Sequence, residues 1–351
     1  MVIRAVAFAV PGNLDTPTGG YAYDKRILAE LRALGWHVDV VDLGSDFPRP
    51  SAPSLRQAGE RVAALDAANP IVIDGLAFGV MDEAAARLGA SRKLVALVHH
   101  PLAYESGISP GDAERFRVSE RAALAHVRHV VVTSPATGRL LQNEYAVKAE
   151  RITVVKPGNE RIAAAPRADQ GSVSLLAVGS LVPRKGYDVL IAALAPLRDL
   201  PWTLAVAGDA TRDPATTEKL KSDIVSHGLS NRVVLLGAVP DERLAALYGE
   251  AHAFVLASRF EGYGMAYAEA IAHGLPVIAT RTGAVPETVP PEAALFVEPD
   301  DAAGLSDALR RLIEDRALRA RLSAAACNAA RNLPTWRESG ELFSRVLEAV
   351  S

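Results

Sequence analysis

The chain has 351 residues, 49% of them hydrophobic and 23% charged, with a formal net charge of −3, so it is long enough for two ordinary domains and apolar enough to fold them. The slight acid excess gives no whole-chain reason to expect nucleic acid as a partner. A single cysteine, Cys327, excludes an intramolecular disulfide and a Cys-rich metal site, and no apolar run approaches the ~20 residues that cross a bilayer; a reducing cytoplasm is the expected compartment.

From the first residues onward, short β-branched runs alternate with longer helical patterns, the signature of βαβ units and a parallel sheet covered on both faces. The fold class expected is therefore α/β. Residues 2–10 read as a first strand rather than a signal peptide, because Pro11, Gly12, Asn13 and Asp15 follow at once. A helix follows, with Thr18 as its cap, Ile27, Leu28, Leu31 and Leu34 on one face, and Gly35 as its stop. Further strands are expected at 37–41, 71–73, 94–98, 129–133 and 152–155, and Ser134-Pro135 opens another helix. The pattern breaks between Lys156 and Ser172 into a Pro, Gly, Asn and Ala-rich stretch, where a linker is expected. Strands resume at 174–178, 203–207, 233–236, 253–256, 276–279 and 294–297, with Asp241 expected to cap the helix after the third of them. Three helical patterns at 302–315, 318–331 and 336–349 close the chain. The domains expected are 1–165, then 172–333, with a C-terminal helix at 334–351 packing back toward the first. Two successive Rossmann-like, doubly wound domains imply a cleft at the carboxyl ends of both sheets, where open α/β folds bind ligands.

The most informative string is Ser258-Arg259-Phe260-Glu261-Gly262-Tyr263-Gly264-Met265-Ala266-Tyr267-Ala268-Glu269-Ala270, which turns from a strand through a loop into a helix. Gly262 and Gly264 permit close backbone approach, and the free N–H groups of a helix start suit a diphosphate. Glu261 on the loop and Glu269 on the helix are carboxylates that one ligand can meet at two heights. As an isolated glycine pair, the segment equally suits a tight turn with solvent-facing glutamates. A second string, Val178-Gly179-Ser180-Leu181-Val182-Pro183-Arg184-Lys185-Gly186, again runs from a strand through a loop, and its cations suit phosphate. The loop Thr16-Pro17-Thr18-Gly19-Gly20-Tyr21 precedes the first helix, and His99-His100 follow the strand at 94–98.

The Glu261-to-Glu269 spacing, with the following Ala-His-Gly-Leu-Pro-Val-Ile-Ala, closely resembles the Glu-x7-Glu signature of family 4 (group 1) retaining glycosyltransferases, enzymes of GT-B fold with two Rossmann-like domains. The resemblance is sharp over residues 174–299 and loose before residue 150. It implies transfer of a sugar, as a hexosyltransferase, from a nucleoside-diphosphate sugar to an acceptor hydroxyl on a glycan or lipid-linked molecule, with retention and with no essential metal or other cofactor. Lys185 matches the family's lysine before glycine and would stabilise the leaving diphosphate. Ser180 stands where the family usually carries a basic residue; Arg184 either compensates or is a surface charge, the latter slightly favoured. By the same resemblance His99, Lys185 and Glu261 are the catalytic candidates. Gly19, Gly20, His100, Arg184, Asp209, Val239, Gly262, Tyr263, Gly264, Met265 and Glu269 are the donor-binding candidates, Glu269 on the ribose and Val239 near the base. The histidines also admit a structural reading, and a metal site is disfavoured because no ligand group lies near them at a recognisable spacing. Asp209 equally suits a local turn, and the loop Arg281 to Glu287 reads as support for the string before it.

A role in cell-envelope polysaccharide biosynthesis is expected, with peripheral contact at the inner membrane surface compatible with Arg115, Arg117, Arg121 and Arg128 on one predicted helix. Rival classes are a GT-B-fold epimerase or phosphorylase, and a sugar-nucleotide-binding homologue without turnover, which Ser180 would favour. A nicotinamide dehydrogenase is a poorer match, since no Gly-x-Gly-x-x-Gly follows the first strand.

Overall fold

The computed structural model describes residues 4–105, 107–162 and 171–351. Among these the chain forms two six-stranded parallel sheets. The first comprises β1 (Ala5–Val10), β2 (His37–Asp42), β3 (Pro70–Asp74), β4 (Lys93–Val98), β5 (His129–Val132) and β6 (Ile152–Val154), in the order β2-β1-β3-β4-β5-β6. The second comprises β7 (Val173–Val178), β8 (Trp202–Ala207), β9 (Val233–Gly237), β10 (Ala253–Leu256), β11 (Val277–Thr280) and β12 (Ala294–Val297), in the order β12-β11-β10-β7-β8-β9. Helices connect the strands, and strands such as β3, β4 and β10 are buried almost throughout, as parallel strands covered on both faces must be. The chain thus has the α/β architecture of two doubly wound sheets. The second has the strand order of the dinucleotide-binding fold and the first that of the flavodoxin type.

Two compact units follow from these sheets: Met1–Thr16, Gly20–Gly158 and Pro334–Ser351 make one, and Pro17–Gly19 with Asn159–Leu333 the other. Part of the expected linker, residues 163–170, lies outside the described residues.

In the first unit the helix Gly19–Ala33 ends where Gly35 takes φ +87° and Trp36 N–H bonds back to the Leu31 carbonyl at 3.0 Å, a left-handed glycine stop. The helix Trp336–Val350 belongs to this unit. It begins with a capping box in which Thr335 and Glu338 satisfy each other's backbone N–H groups. Phe343, fully buried, lies 6.3 Å from the Phe8 ring, Trp36 Nε1 donates to Ser344 Oγ at 2.9 Å, and Ser339 Oγ donates to the Lys156 carbonyl at 2.7 Å. Gly158 is what lets the two chain segments cross here, because a Cβ on it would stand 2.2 Å from Trp336 N.

In the second unit one local expectation fails. Pro240 is the N-cap of the helix Asp241–Glu250, with no side-chain cap bond, and Asp241 is already its first residue. Pro240 at φ −61°, ψ 154° is kept outside the helix by its extended ψ, so helical geometry starts at Asp241, one residue earlier than an Asp241 cap would require.

Each sheet has a point at which the strand order reverses: between β1 and β3 in the first, between β7 and β10 in the second. Successive connections leave such a point in opposite directions and open a crevice at the carboxyl ends of the strands. The two strings singled out in the second half follow β7 and β10; His99 follows β4, and Gly19 and Gly20, expected on a loop, are the first two residues of the helix after β1.

Candidate active site

At the reversal point of the second sheet, the loop after β7 is shaped by backbone contacts that only glycine permits. A Cβ on Gly208, just past β8, would lie 1.9 Å from the Gly179 carbonyl oxygen, and Leu181 N–H bonds the Asp209 carbonyl at 2.9 Å. The two loops are therefore pressed together. A single 3₁₀ turn, Pro183–Lys185, follows and is ended by Gly186 at φ +65°, where a Cβ would meet the Ala257 carbonyl oxygen at 1.9 Å. That contact seats the turn on the end of β10 and aims Arg184 and Lys185 at the β10 loop.

There both cations meet Glu261. Lys185 Nζ donates to Oε1 at 2.7 Å, Ser258 Oγ donates to the same oxygen at 2.7 Å, and Arg184 Nη1 lies 3.3 Å from Oε2 while donating to the Phe260 carbonyl at 2.7 Å. Glu261 is 5% exposed. Burial alone would raise its carboxyl, but Lys185 first and Arg184 next outweigh it and hold the group down to about 2. Behind it, Ala284 N–H bonds the Glu261 carbonyl at 2.9 Å, and Gly283 gives the room, since a Cβ there would come within 2.2 Å of that oxygen. The Arg281-to-Glu287 segment so supports the backbone of the acid. Arg184, slightly favoured from sequence as a surface charge, is instead 16% exposed and held on this cluster.

Gly262, Tyr263 and Gly264 are buried on the same loop. Gly264 at φ +89° is the N-cap of the helix Met265–Ala272, and no side chain caps that helix start. Glu269 on this helix accepts from Tyr248 Oη at 2.8 Å. Tyr248 in turn stacks on His273, ring centroids 5.0 Å apart, and burial before Glu269 raises its phenol well above the usual value. Sequence reasoning gave no role to Tyr248 or Ser258: Tyr248 lies 21 residues before its glutamate, where no local spacing marks it, whereas Ser258 opens the quoted string three residues before Glu261. The Asp209 carboxylate accepts from Thr211 N at 2.8 Å and Thr211 Oγ1 at 2.7 Å, a local turn, while Val239 packs half-buried against the core beyond β9. Ser180 is half-buried on the β7 loop.

In the first unit, His99 Nε2 lies 3.1 Å from Asp24 Oδ1 and 3.5 Å from Asp74 Oδ2. Gly20 packs on the same ring, for a Cβ there would lie 3.3 Å from His99 Cδ2. His100 pairs instead with Glu105 at 3.3 Å. The sequence argument that no ligand groups stand near His99 does not hold in three dimensions: Asp24, Asp74 and His99 each offer a ligand atom within 4.8 Å of the others. They come from the helix after β1, the end of β3 and the end of β4, so only the strand order brings them together. On the helix Pro110–Leu124, Arg115 and Arg117 pair with Asp112 and Glu114, which offsets its basic charge. No helix among the described residues is long and apolar enough to cross a membrane.

The chain is similar to known proteins over most of its length. Residues 159–329 match the model of glycosyl transferases group 1, and residues 25–159 that of glycosyltransferase family 4. The mannosylfructose-phosphate synthase of Agrobacterium fabrum is 32% identical over 59% of this chain and 50% of its own length, so the chain spans only half of that relative. The MMP alpha-(1->4)-mannosyltransferase of Mycolicibacterium hassiacum is 30% identical over 76% of this chain and 67% of its own. A sucrose-phosphate synthase from Thermosynechococcus elongatus, 22% identical, superposes over 99% of both chains with a TM-score of 0.84, which shows a shared GT-B fold. The chain belongs to the group 1, family 4 glycosyltransferases.

Proposed function

We propose that this protein transfers a hexose from a nucleoside-diphosphate sugar to a hydroxyl of a glycan or lipid-linked acceptor, with retention of anomeric configuration. The observation that carries this reading is the convergence of Lys185 and Arg184 on one buried glutamate at the reversal point of the second sheet. Two cations against one carboxylate leave one positive charge over, beside a helix start that no side chain caps. That is the electrostatic environment a departing diphosphate needs, since its charge grows in the transition state. In this reading Arg184 supplies the second cation that Ser180 does not, and Glu261, fixed by both, meets the sugar hydroxyls. Glu269 takes the ribose and Val239 borders the base, while Gly19, Gly20 and His99 address the transferred sugar. Because fixed cations carry the charge stabilisation, transfer is expected to proceed without a divalent metal.

The test is a thermal-shift panel of UDP, GDP, ADP and CMP without divalent metal, on the wild type and Glu269→Ala, followed by transfer assays in EDTA. A ligand at 100 times its Kd adds ~2.7 kcal/mol of stability, so one diphosphate should raise the melting temperature of the wild type and not of the variant. Stabilisation by none of them would overturn the donor-site reading in favour of a homologue without turnover; an absolute requirement for a divalent ion would overturn the metal-free part.

A further inference from the structure

His99 stands between two buried acids. Asp24 is fully buried and Asp74 is 2% exposed, and both direct a carboxylate oxygen at the single nitrogen Nε2. The contact is built from three separate elements. Asp74 ends β3 and spends Oδ1 on the Leu76 N–H at 2.7 Å, which leaves Oδ2 toward the histidine. Its neighbour Gly75 lets β3 lie close to β4, for a Cβ there would stand 3.0 Å from the Leu97 carbonyl oxygen. Asp24 lies one turn into the helix after β1, and Gly20 one turn earlier leaves room for the imidazole. The Tyr23 ring meets the imidazole edge-on at 5.3 Å and is pinned by its hydroxyl to the Val155 carbonyl at 3.0 Å. Thr133 Oγ1 donates to the His99 carbonyl at 3.2 Å. Asp24 and Asp74 thus hold the ring at Nε2, Tyr23 meets it edge-on and Thr133 holds its backbone, while the side chain keeps 19% of its surface exposed; Asp24 Oδ2 has no hydrogen-bond partner.

Two carboxylates in so little water need positive charge close by. The charged or titratable groups that face the ring are Asp24 and Tyr23 from the first helix and Asp74 from β3; β5 contributes only Thr133. From the C-terminal helix Trp336 reaches Tyr23, with the Arg26 guanidinium 5.8 Å from the indole. On its own loop His100 is engaged by Glu105. The imidazole of His99 lies against both acids and is the group placed to supply that charge.

We propose that Asp24 and Asp74 are positioning residues that hold His99 as a fixed imidazolium, so that His99 takes part in transfer as a charged N–H donor and not as a neutral base. The electrostatics agree in direction. Burial would lower the His99 value, but Asp24 and then Asp74 outweigh it and raise it to about 10. Burial first, and the neighbouring Asp74 carboxylate with it, raise Asp24 to about 7 against the pull of His99. A raised histidine stays protonated until the pH passes its folded value, so His99 carries its proton through the neutral range and releases it only on the alkaline side. No proton need leave or enter His99 during turnover for this role. The catalytic part of the proposal rests on the transferase reading above; the protonation state does not.

The experiment is nuclear magnetic resonance of the full chain carrying ¹⁵N- and ¹³Cε1-labelled histidine, with His99 assigned by its loss in His99→Gln. The wild-type ring is expected to give imidazolium shifts from pH 6 to 8.5, and in Asp24→Asn and Asp74→Asn its titration should move down by one unit or more. A wild-type His99 that titrates near 6.5 overturns the clamp whether or not the protein transfers sugar. A stoichiometric broadening of its resonance by micromolar Mn²⁺ would also overturn it, in favour of a metal site. For the catalytic part, either Asn variant should lower kcat about tenfold or more with little change in KM, and should bring in a loss of rate above neutral pH. In a His99→Gln background the same substitutions should change kcat less than twofold. If they still lower it tenfold there, the acids do not act through His99.

Discussion

Replacing Glu261 by glutamine should weaken the second unit by about 3 kcal/mol at neutral pH. The carboxyl is held from its ordinary 4.5 down to about 2, a shift of between two and three units at ~1.4 kcal/mol each. A second route gives the same size: a buried pair that loses one partner is destabilised by about 3–5 kcal/mol, because the other charge remains uncompensated. Here Lys185 and Arg184, 14% and 16% exposed, are the charges left behind. The sign follows from the direction of the shift. A carboxyl lowered in the folded state contributes its full stabilisation above its ordinary value and loses it as the pH falls through 4.5 toward 2. The wild-type advantage over Glu261→Gln should therefore be flat from pH 8 to 5 and shrink below. Urea unfolding of both proteins at a series of pH values, with hydrogen exchange of the β7 and β10 peptides to isolate the second unit, measures it. A difference under 1 kcal/mol at pH 7, or one that grows as the pH falls, would show that the cations do not depend on Glu261.

Gly186→Ala combines a left-handed φ with a backbone clash at 1.9 Å and should destabilise the second unit by more than about 3 kcal/mol. Gly35→Ala, at φ +87° with nothing within 4 Å of the new Cβ, should cost only the ~1–2 kcal/mol of the conformation itself; equal losses in thermal unfolding would refute the packing argument. Phe343→Ala, in a fully buried position against Phe8, should cost about 3–5 kcal/mol in the first unit, measurable by urea unfolding. Tyr248→Phe removes the 2.8 Å bond to Glu269, should cost about 1–2 kcal/mol, and should weaken whichever nucleoside diphosphate stabilises the wild type. Arg184→Ala should lower kcat/KM about 10²-fold, and Ser180→Arg in that background should recover part of it; full activity in Arg184→Ala would remove the arginine from the donor site.

The strands were legible because parallel strands covered on both faces must be short apolar runs bounded by turns, and those from β7 to β12 lie within two residues of the expected bounds at either end. The strings around Glu261 and Lys185 were legible for a local reason: each is a strand, a glycine loop and a helical turn within a dozen residues. Strand order was not, since a sequence of alternating strands and helices is the same for either doubly wound topology. With strand order went every contact that depends on it. Asp24, Asp74 and His99 are separated by 50 and 25 residues in sequence, and Tyr248 precedes Glu269 by 21. Gly262 and Gly264 were read for close approach to a ligand; Gly208, Gly186 and Gly283, for which the sequence suggested no cause, each have another backbone in the place of the missing Cβ.

Ser180 illustrates how position and function part company. Taken one residue at a time, a serine where a cation is usual argues for lost activity. In the structure, the carboxylate that organises the cations is reached from the 3₁₀ turn four residues later, and the turn is seated by a glycine pressed against the end of β10. A guanidinium five bonds from its Cα has the reach to cover that displacement, and its Nη1 bonds a carbonyl while facing a carboxylate. The electrostatic condition for holding a diphosphate is a net positive charge at the strand ends, and it does not specify which loop position provides it. What the structure fixes is that both cations together hold the buried Glu261 carboxyl low, wherever along the loop their backbones begin.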